Sequence, residues 1–304
     1  MLTVLAIVSF LSLLVCERLW PANGLPRVRA WWPRLILLVA SNAMIAWLMG
    51  MSWIAWTQSA SMFSLAQWVG NDPGGLIVQL LVAFFISTAW EYWWHRWRHR
   101  NAFLWRVFHQ LHHSPRRVEL VTALYRHPVE QLFAQFFNAI IVYFLLGCSP
   151  AAGALYVFLR GGLSFFQHWN VRTPYWLGFV GFFPRPELHR MHHHEREGKT
   201  CNFADLPIFD MVFGTFHNPR KDHPELYGFT PEREDRFTDI LAFRDVNREL
   251  PENLSPMHRF PTCIGCQKRW ACAEVRGVFD QPDNQIPKPV TLSHYSKHGK
   301  SRQE

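Results

Sequence analysis

The chain has 304 residues, 49% of them apolar or aromatic, and a formal charge of +8, a length that fits one large domain or two small ones. The positive charge does not read as a nucleic-acid surface, because the arginines flank long apolar blocks, and fifteen Trp, many near the ends of those blocks, suit a membrane interface. A soluble nucleic-acid binder is excluded, and an all-α polytopic membrane bundle is expected.

The first block, Met1 to Cys16, lacks a basic start and a small-residue cleavage site, so it is expected to be a retained anchor. It is short beside the ~20 residues of a full span, which leaves four or five crossings open. A basic loop with Arg18, Arg27, Arg29 and Arg34 follows. The second block, Leu35 to Trp56, is long enough to cross, and the loop from Thr57 to Gly75 holds no Lys or Arg. A third crossing from Leu76 to about Trp94 delivers the chain into His95 and His99, followed by Arg96, Arg98, Arg100, Arg106, Arg116, Arg117 and Arg126. The excess of Arg after this block places the histidines and the C-terminus in the cytoplasm, and the expected location is a bacterial inner membrane.

The stretch Val129 to Gly147 ends at Gly147-Cys148-Ser149-Pro150, and Ala151 to Trp169 returns, which predicts a helical hairpin with an outer tip. Arg160 falls inside the returning helix. An Arg at such depth costs about 2.5–3.5 kcal/mol on insertion scales and faces the bundle or a cavity, so Arg160 is a substrate-contact candidate, against the alternative that it snorkels beside Gly161 and Gly162. From Val171 onward nothing is long and apolar enough to span, and the semi-apolar run Ile208 to Thr215 is expected to pack under the histidine helices. The expected domains are residues 1–75, N-terminal transmembrane segments; 76–217, the catalytic domain; and 218–304, a cytoplasmic tail. Within that tail Cys263, Cys266 and Cys272, with His258, offer a zinc ligand set of irregular spacing, and a reduced, unstructured tail is the alternative.

The chemistry-bearing pattern is a repeated histidine register. His109, His112 and His113 form one His-x-x-His-His, His189, His192 and His193 form another, and His95-x3-His99 precedes both. Residues three and four apart on a helix share a face, so each box aims its imidazoles in one direction. Neutral imidazole suits iron, zinc, copper and nickel, and eight such groups exceed what one ion of about four to six ligands could use, so two ions are the simplest reading. His194 lies off the shared face and is not expected to be a ligand. Glu91, one turn before His95, is placed to accept an imidazole N–H. His127, followed by Pro128, is a candidate to support a ligand from behind, or else a helix-start histidine bonded to a carbonyl.

Together these boxes resemble the three histidine boxes of the membrane fatty acid hydroxylase and sterol desaturase superfamily. The likeness extends to Glu91-Tyr92-Trp93-Trp94-His95-Arg96, to Thr122-x-x-Tyr125-Arg126-His127-Pro128-Val129-Glu130, to Gln167-His168-Trp169-Asn170, and to the stretch from Asn202 to Thr215, covering about residues 85–216. Glu91 departs from the Asp that many members carry. What the resemblance implies is a helical membrane bundle with a cytoplasmic histidine-rich metal-binding cap, whose di-iron centre uses O2 to hydroxylate or desaturate a lipid. It implies His168 as a ninth ligand beside the eight box histidines, and Asn202 as a residue supporting them. The implied cofactors are two iron ions, with zinc possible in isolated protein. No haem-binding Cys motif or nucleotide fingerprint is present in the sequence, so electrons are expected from an external donor, a ferredoxin or a similar reductase. A zinc-dependent lipid hydrolase and a metal transporter or sensor are the alternatives. The first would carry a carboxylate within its motif, as in His-Glu-x-x-His, and none of the boxes has one; the second would place its ligands near the bilayer midplane.

Overall fold

The computed structural model describes residues 2–195 and 198–247. The Cys263, Cys266, Cys272 and His258 set lies outside the described residues. Helices α1 (Leu2–Leu19), α2 (Trp31–Ser59), α3 (Leu65–Val69) and α4 (Pro73–Arg100) lead into the short α5 (Ala102–Phe108) and α6 (Gln110–His113). Then come α7 (Pro128–Ala139), which continues as a π turn over Ile140–Leu145, and α8 (Pro150–His168). The short helices α9 (Pro186–His192), α10 (Pro207–Val212), α11 (Pro231–Glu234) and α12 (Phe237–Leu241) complete the cap, and no β-strand occurs among the described residues. Prolines set many of these starts: Pro73, Pro128, Pro150, Pro186, Pro207 and Pro231 all sit at the first helical turn, where the missing N–H costs nothing and the fixed φ suits the helix. Asp72 and Ser149 complete two of them by accepting from Gly75 N at 2.8 Å and Ala152 N at 3.3 Å.

Among the described residues three helical stretches are long and apolar enough to cross a membrane, Trp31–Gly50, Pro73–Arg100 and Pro128–Leu145. Of the other two expected crossings, residues 2–16 of the first lie in α1 and residues 151–168 of the other in α8, where Arg160, Gly161 and Gly162 dilute the apolar run. Both lie alongside the three. Phe10 of α1 meets Phe165 of α8 edge to face at 5.0 Å, and the Trp169 indole donates to Leu13 O at 2.9 Å. The five helices alternate in direction. On one side Glu17, near the end of α1, accepts from Leu120 N (2.7 Å) and Asn170 N (2.8 Å), and Trp31, at the start of α2, stacks on Tyr125. On the opposite side Met62 and Phe63 N donate to Phe144 and Leu145 O, and Gln79 joins Gly70 O to Ser149 N. There Gly147 takes φ +64° with Phe63 O against its α-carbon, a place no side chain can occupy. Exposed Ile36, Leu37, Trp47, Ile77, Leu81 and Phe85 form the outward face of α2 and α4, as a lipid-facing surface requires.

Two apolar cores hold this arrangement. One, inside the bundle, includes Ala83, Ile141, Val142, Tyr143, Ala152 and Tyr156; the other, beneath the histidine side, joins Trp31, Leu38, Leu111 and Tyr125 to Phe229, Phe237, Ile240 and Val246. The second core draws Phe229, Phe237, Ile240 and Val246 in beside α2, and residues 1–247 form one compact unit. Full burial of a Phe or Ile stabilises by about 1.5–3 kcal/mol, and polar ties add to it: Gln110 donates to Arg244 O at 2.7 Å and accepts from Val246 N at 3.0 Å. Many of the basic residues read as membrane-flanking charge are also partnered here, Arg18 and Arg117 with Glu119, Arg34 with Asp235 and Arg116 with Glu234.

Candidate metal centre

Four elements deliver the nine histidines to one place. The last turns of α4 carry His95 and His99, and Asn101 ends that helix while capping α5 through Phe103 N and Leu104 N, both at 3.0 Å. His109 then breaks the helix with φ −144°, so α6 starts in a new direction with His112 and His113. His168 is the last residue of α8, and α9 with the residue after it bears His189, His192 and His193. The α9 helix is fastened by ion pairs and side-chain hydrogen bonds. Arg190 donates to Asp222 at 2.8 Å and to Trp169 O at 2.7 Å, while Glu187 accepts from Thr173 N and Oγ1, both at 2.7 Å.

The histidines separate into two groups whose candidate ligand atoms lie within 4.8 Å of one another: His95, His99, His109, His113 and His192 in the first, and His112, His168, His189 and His193 in the second. Each His-x-x-His-His box is divided. Its first and last members, four apart and about 40° from eclipsed, join one group, and its middle member, about 60° away on the other side, joins the other. The groups touch, with His113 and His193 stacked at 4.4 Å.

The nitrogens are arranged as a cation would require. His95, His112, His168 and His192 turn Nδ1 toward the carbonyl oxygens of Phe203 (2.6 Å), Tyr125 (3.4 Å), Ser164 (2.8 Å) and Cys201 (2.8 Å). A carbonyl can only accept, so Nδ1 holds the proton and Nε2 presents a bare lone pair inward. His112 and His168 thus face each other Nε2 to Nε2 at 3.3 Å with no proton between them, and the other facing Nε2 pairs lie 2.7–3.2 Å apart. Ligands about 2.0–2.1 Å from one ion, at right or tetrahedral angles, are separated by about 2.8–3.4 Å. Burial pushes His109, His112, His113, His189 and His193 well below the usual histidine range, reinforced by neighbouring imidazoles, and holds His192 at about 4. They are neutral, the state in which imidazole binds a metal. The donor set fits two metal ions.

The carbonyls that orient His95 and His192 come from one loop, 201–203, and that loop is clamped. Asn202, at φ 54°, donates to Leu188 O (2.9 Å) and His217 O (2.8 Å) and accepts from His217 N (2.9 Å). Asp210 accepts from Phe203 N (2.9 Å), Ala204 N (2.8 Å) and Thr215 Oγ1 (2.7 Å). Asn202 was an expected supporting residue. Asp210 was not, although its place in the run ahead of Phe213-Gly214-Thr215 is the signal that could have found it.

Other expected supporting residues lie elsewhere. Glu91 does not meet an imidazole: it pairs with Arg98, because the i+7 register brings the guanidinium back over it. The carboxylate beside an imidazole is Glu130, whose Oε1 lies 3.2 Å from His109 Nδ1 and accepts from Arg98 Nη1 at 2.7 Å. His127 is the helix-start histidine: its Nδ1 accepts from Val129 N at 3.1 Å and its Nε2 donates toward Leu241 O at 3.3 Å, with no ligand contact. His194 pairs through its backbone with Tyr227, outside both groups. Arg160 is bonded to Asp205 on the wall of a cavity of about 370 Å³. That cavity opens from His95, His109, His112, His168 and His189 into the space between α2, α4, α7 and α8.

The fatty acid hydroxylase profile matches residues 80–215, the stretch that carries all nine histidines. Residues 80–215 are therefore similar to the fatty acid hydroxylase family. Among similar proteins are the sphingolipid C4-hydroxylase of Schizosaccharomyces pombe, 32% identical over 48% of this chain and 50% of that one, and the ornithine lipid hydroxylase of Rhizobium tropici, 32% identical over 56% and 51%. A very-long-chain aldehyde decarbonylase of Oryza sativa subsp. indica is 29% identical over 46% and 55%. The chain spans about half the length of these relatives. No solved structure matches it. The matched stretch carries the whole repeated register, while α1, α2, α3 and residues 218–247 lie outside it.

Proposed function

We propose that the protein is a membrane-bound lipid hydroxylase whose nine histidines hold two iron ions. The observation that carries this reading is that both imidazole groups border one cavity, which continues between the apolar helices. When bound, two iron ions would supply the activation of O2 that breaking an unactivated C–H bond needs, so that R–H, O2, two electrons and two protons give R–OH and water. The chain's own residues set the conditions for it. The loop carbonyls of Cys201 and Phe203 fix which nitrogen of His192 and His95 faces inward; Glu130 and Arg98 hold His109; and the helices let a lipid reach the site from the bilayer while water stays outside. Electrons come from a separate donor, a ferredoxin or similar protein, docking on the histidine side, which lies in the cytoplasm of a bacterial cell. The relatives' printed names, sphingolipid, ornithine lipid and long-chain aldehyde enzymes, support a lipid substrate. Comparing lipid extracts of a deletion strain and its parent grown under 18O2 tests the proposal. A lipid heavier by one 18O in the parent and missing from the deletion is expected; identical extracts would overturn it.

A further inference from the structure

The cavity beside the histidines is not lined as a sleeve for a hydrocarbon chain would be. Six wall residues hold buried polar atoms without a hydrogen-bond partner among the described residues: Asn42 Oδ1 on α2, Ser87 Oγ, Trp90 Nε1 and Arg98 Nε on α4, Arg126 Nε just before α7, and Glu130 Oε2 on α7. They are not random leftovers. Buried polar groups in folded proteins are nearly all paired, and six of the eleven unpaired side-chain atoms among the described residues line this one space. The set is also mixed, since Trp90, Arg98 and Arg126 can only donate, Glu130 as a carboxylate and the Asn42 oxygen can only accept, and Ser87 can do either. Arg126 is positioned rather than free, as it donates to Ser164 through Nη2 at 3.1 Å and its backbone carbonyl accepts from Asn42 at 3.0 Å.

We propose that this cavity receives the polar head of the lipid substrate, a head carrying an N–H or O–H donor beside a carbonyl or carboxylate oxygen, with Arg126 and Trp90 donating to the oxygen and Glu130 and Asn42 accepting from the donor. The proposal deepens the hydroxylase reading and rests on it. Size supports a head and not a whole lipid: at the ~30 Å³ that one small group occupies in a liquid, about 370 Å³ holds about a dozen non-hydrogen atoms. A long chain must then lie in the bilayer between the helices. Since His112, His168 and His189 border the same space, the carbon attacked lies within a few bonds of the head, and not far down the chain.

The test uses two probes of one chain length on the full, metal-loaded protein in detergent. N-palmitoylglycine has an amide N–H, a carbonyl and a carboxylate; methyl palmitate offers acceptors alone and no charge. Calorimetric titration is expected to show N-palmitoylglycine binding at least tenfold more tightly, and Arg126→Gln and Asn42→Leu, each chosen so that one can fail to fold without loss of the test, are expected to bring the two probes to within threefold. Thermal melting and iron content report on whether each variant is intact. Equal binding of both probes to the wild type, or an undiminished preference in an intact variant, overturns the polar-head assignment. Protein that binds no iron but still prefers N-palmitoylglycine would instead count against the hydroxylase reading and leave the head site standing.

Discussion

Replacing Asp210 with Ala tests how the metal site is held. The carboxylate is 1% exposed and takes three donors, Phe203 N, Ala204 N and Thr215 Oγ1. Each donor left buried without an acceptor costs about 1–3 kcal/mol. Part of that is offset, because burial raises the Asp210 carboxyl to about 6, a cost that disappears with the side chain. A net loss of about 2–4 kcal/mol follows, which for a chain of this size is roughly 4–16 °C in melting temperature at about 2–4 °C per kcal/mol. The damage reaches the metal because Phe203 O accepts from His95 Nδ1 at 2.6 Å, and a loosened loop lets that ring turn. Melting in detergent and iron content measured on the same preparation check the chain of inference. Asp210→Ala is expected to lose both stability and iron, with Asp210→Asn in between because it keeps one accepting oxygen. A variant melting within 2 °C of the parent with full iron content would refute the argument that this loop orients His95.

His112→Ala and His192→Ala, each removing one member of a different imidazole group, should abolish lipid oxidation and lower bound iron, whereas His194→Ala, outside both groups, should keep more than half of each; product analysis and metal content decide. The neutral imidazoles make stability depend on pH: His109, His112, His113, His189, His192 and His193 bind protons when unfolded below 6.5 but not when folded, so the unfolded chain takes up more protons there. Melting temperature should therefore fall as pH drops below 6.5, with the His192 share fully lost by about pH 4, and a flat profile between pH 7 and 5 would contradict this. Arg160→Leu leaves Asp205 as a charge on a largely buried wall and should lower expression or melting temperature by several degrees, while Arg160→Leu combined with Asp205→Leu should recover most of the loss.

The sequence was informative wherever the chemistry is local. Spacings of three and four drew attention to eight histidines, and the family likeness added His168; these nine are the ones that the fold gathers. How they divide was not legible, since that depends on the break at His109 and on how α6 faces α9. The same limit explains Glu91, chosen for being one turn from His95, while the carboxylate beside an imidazole comes from Glu130, 21 residues from its partner His109. Arg160 was recognisable as misplaced in an apolar helix, but Asp205, 45 residues on, was not recognisable as its partner. The contribution of residues 218–247 to the core was not legible, because their prolines and charges hide four widely spaced apolar anchors, Phe229, Phe237, Ile240 and Val246, which have no periodicity of their own and are defined only by the core they enter.

The central claim is that nine imidazoles hold two redox-active ions, and metal counting joined to turnover tests it most directly. Protein purified from iron-supplied cells should carry close to two irons per chain and oxidise lipid with an external electron donor, and the same protein loaded only with zinc, which has no redox chemistry to offer O2, should be inactive. One metal per chain, or full activity in the zinc-only protein, would contradict the account, and the second result would place a zinc-dependent hydrolase first.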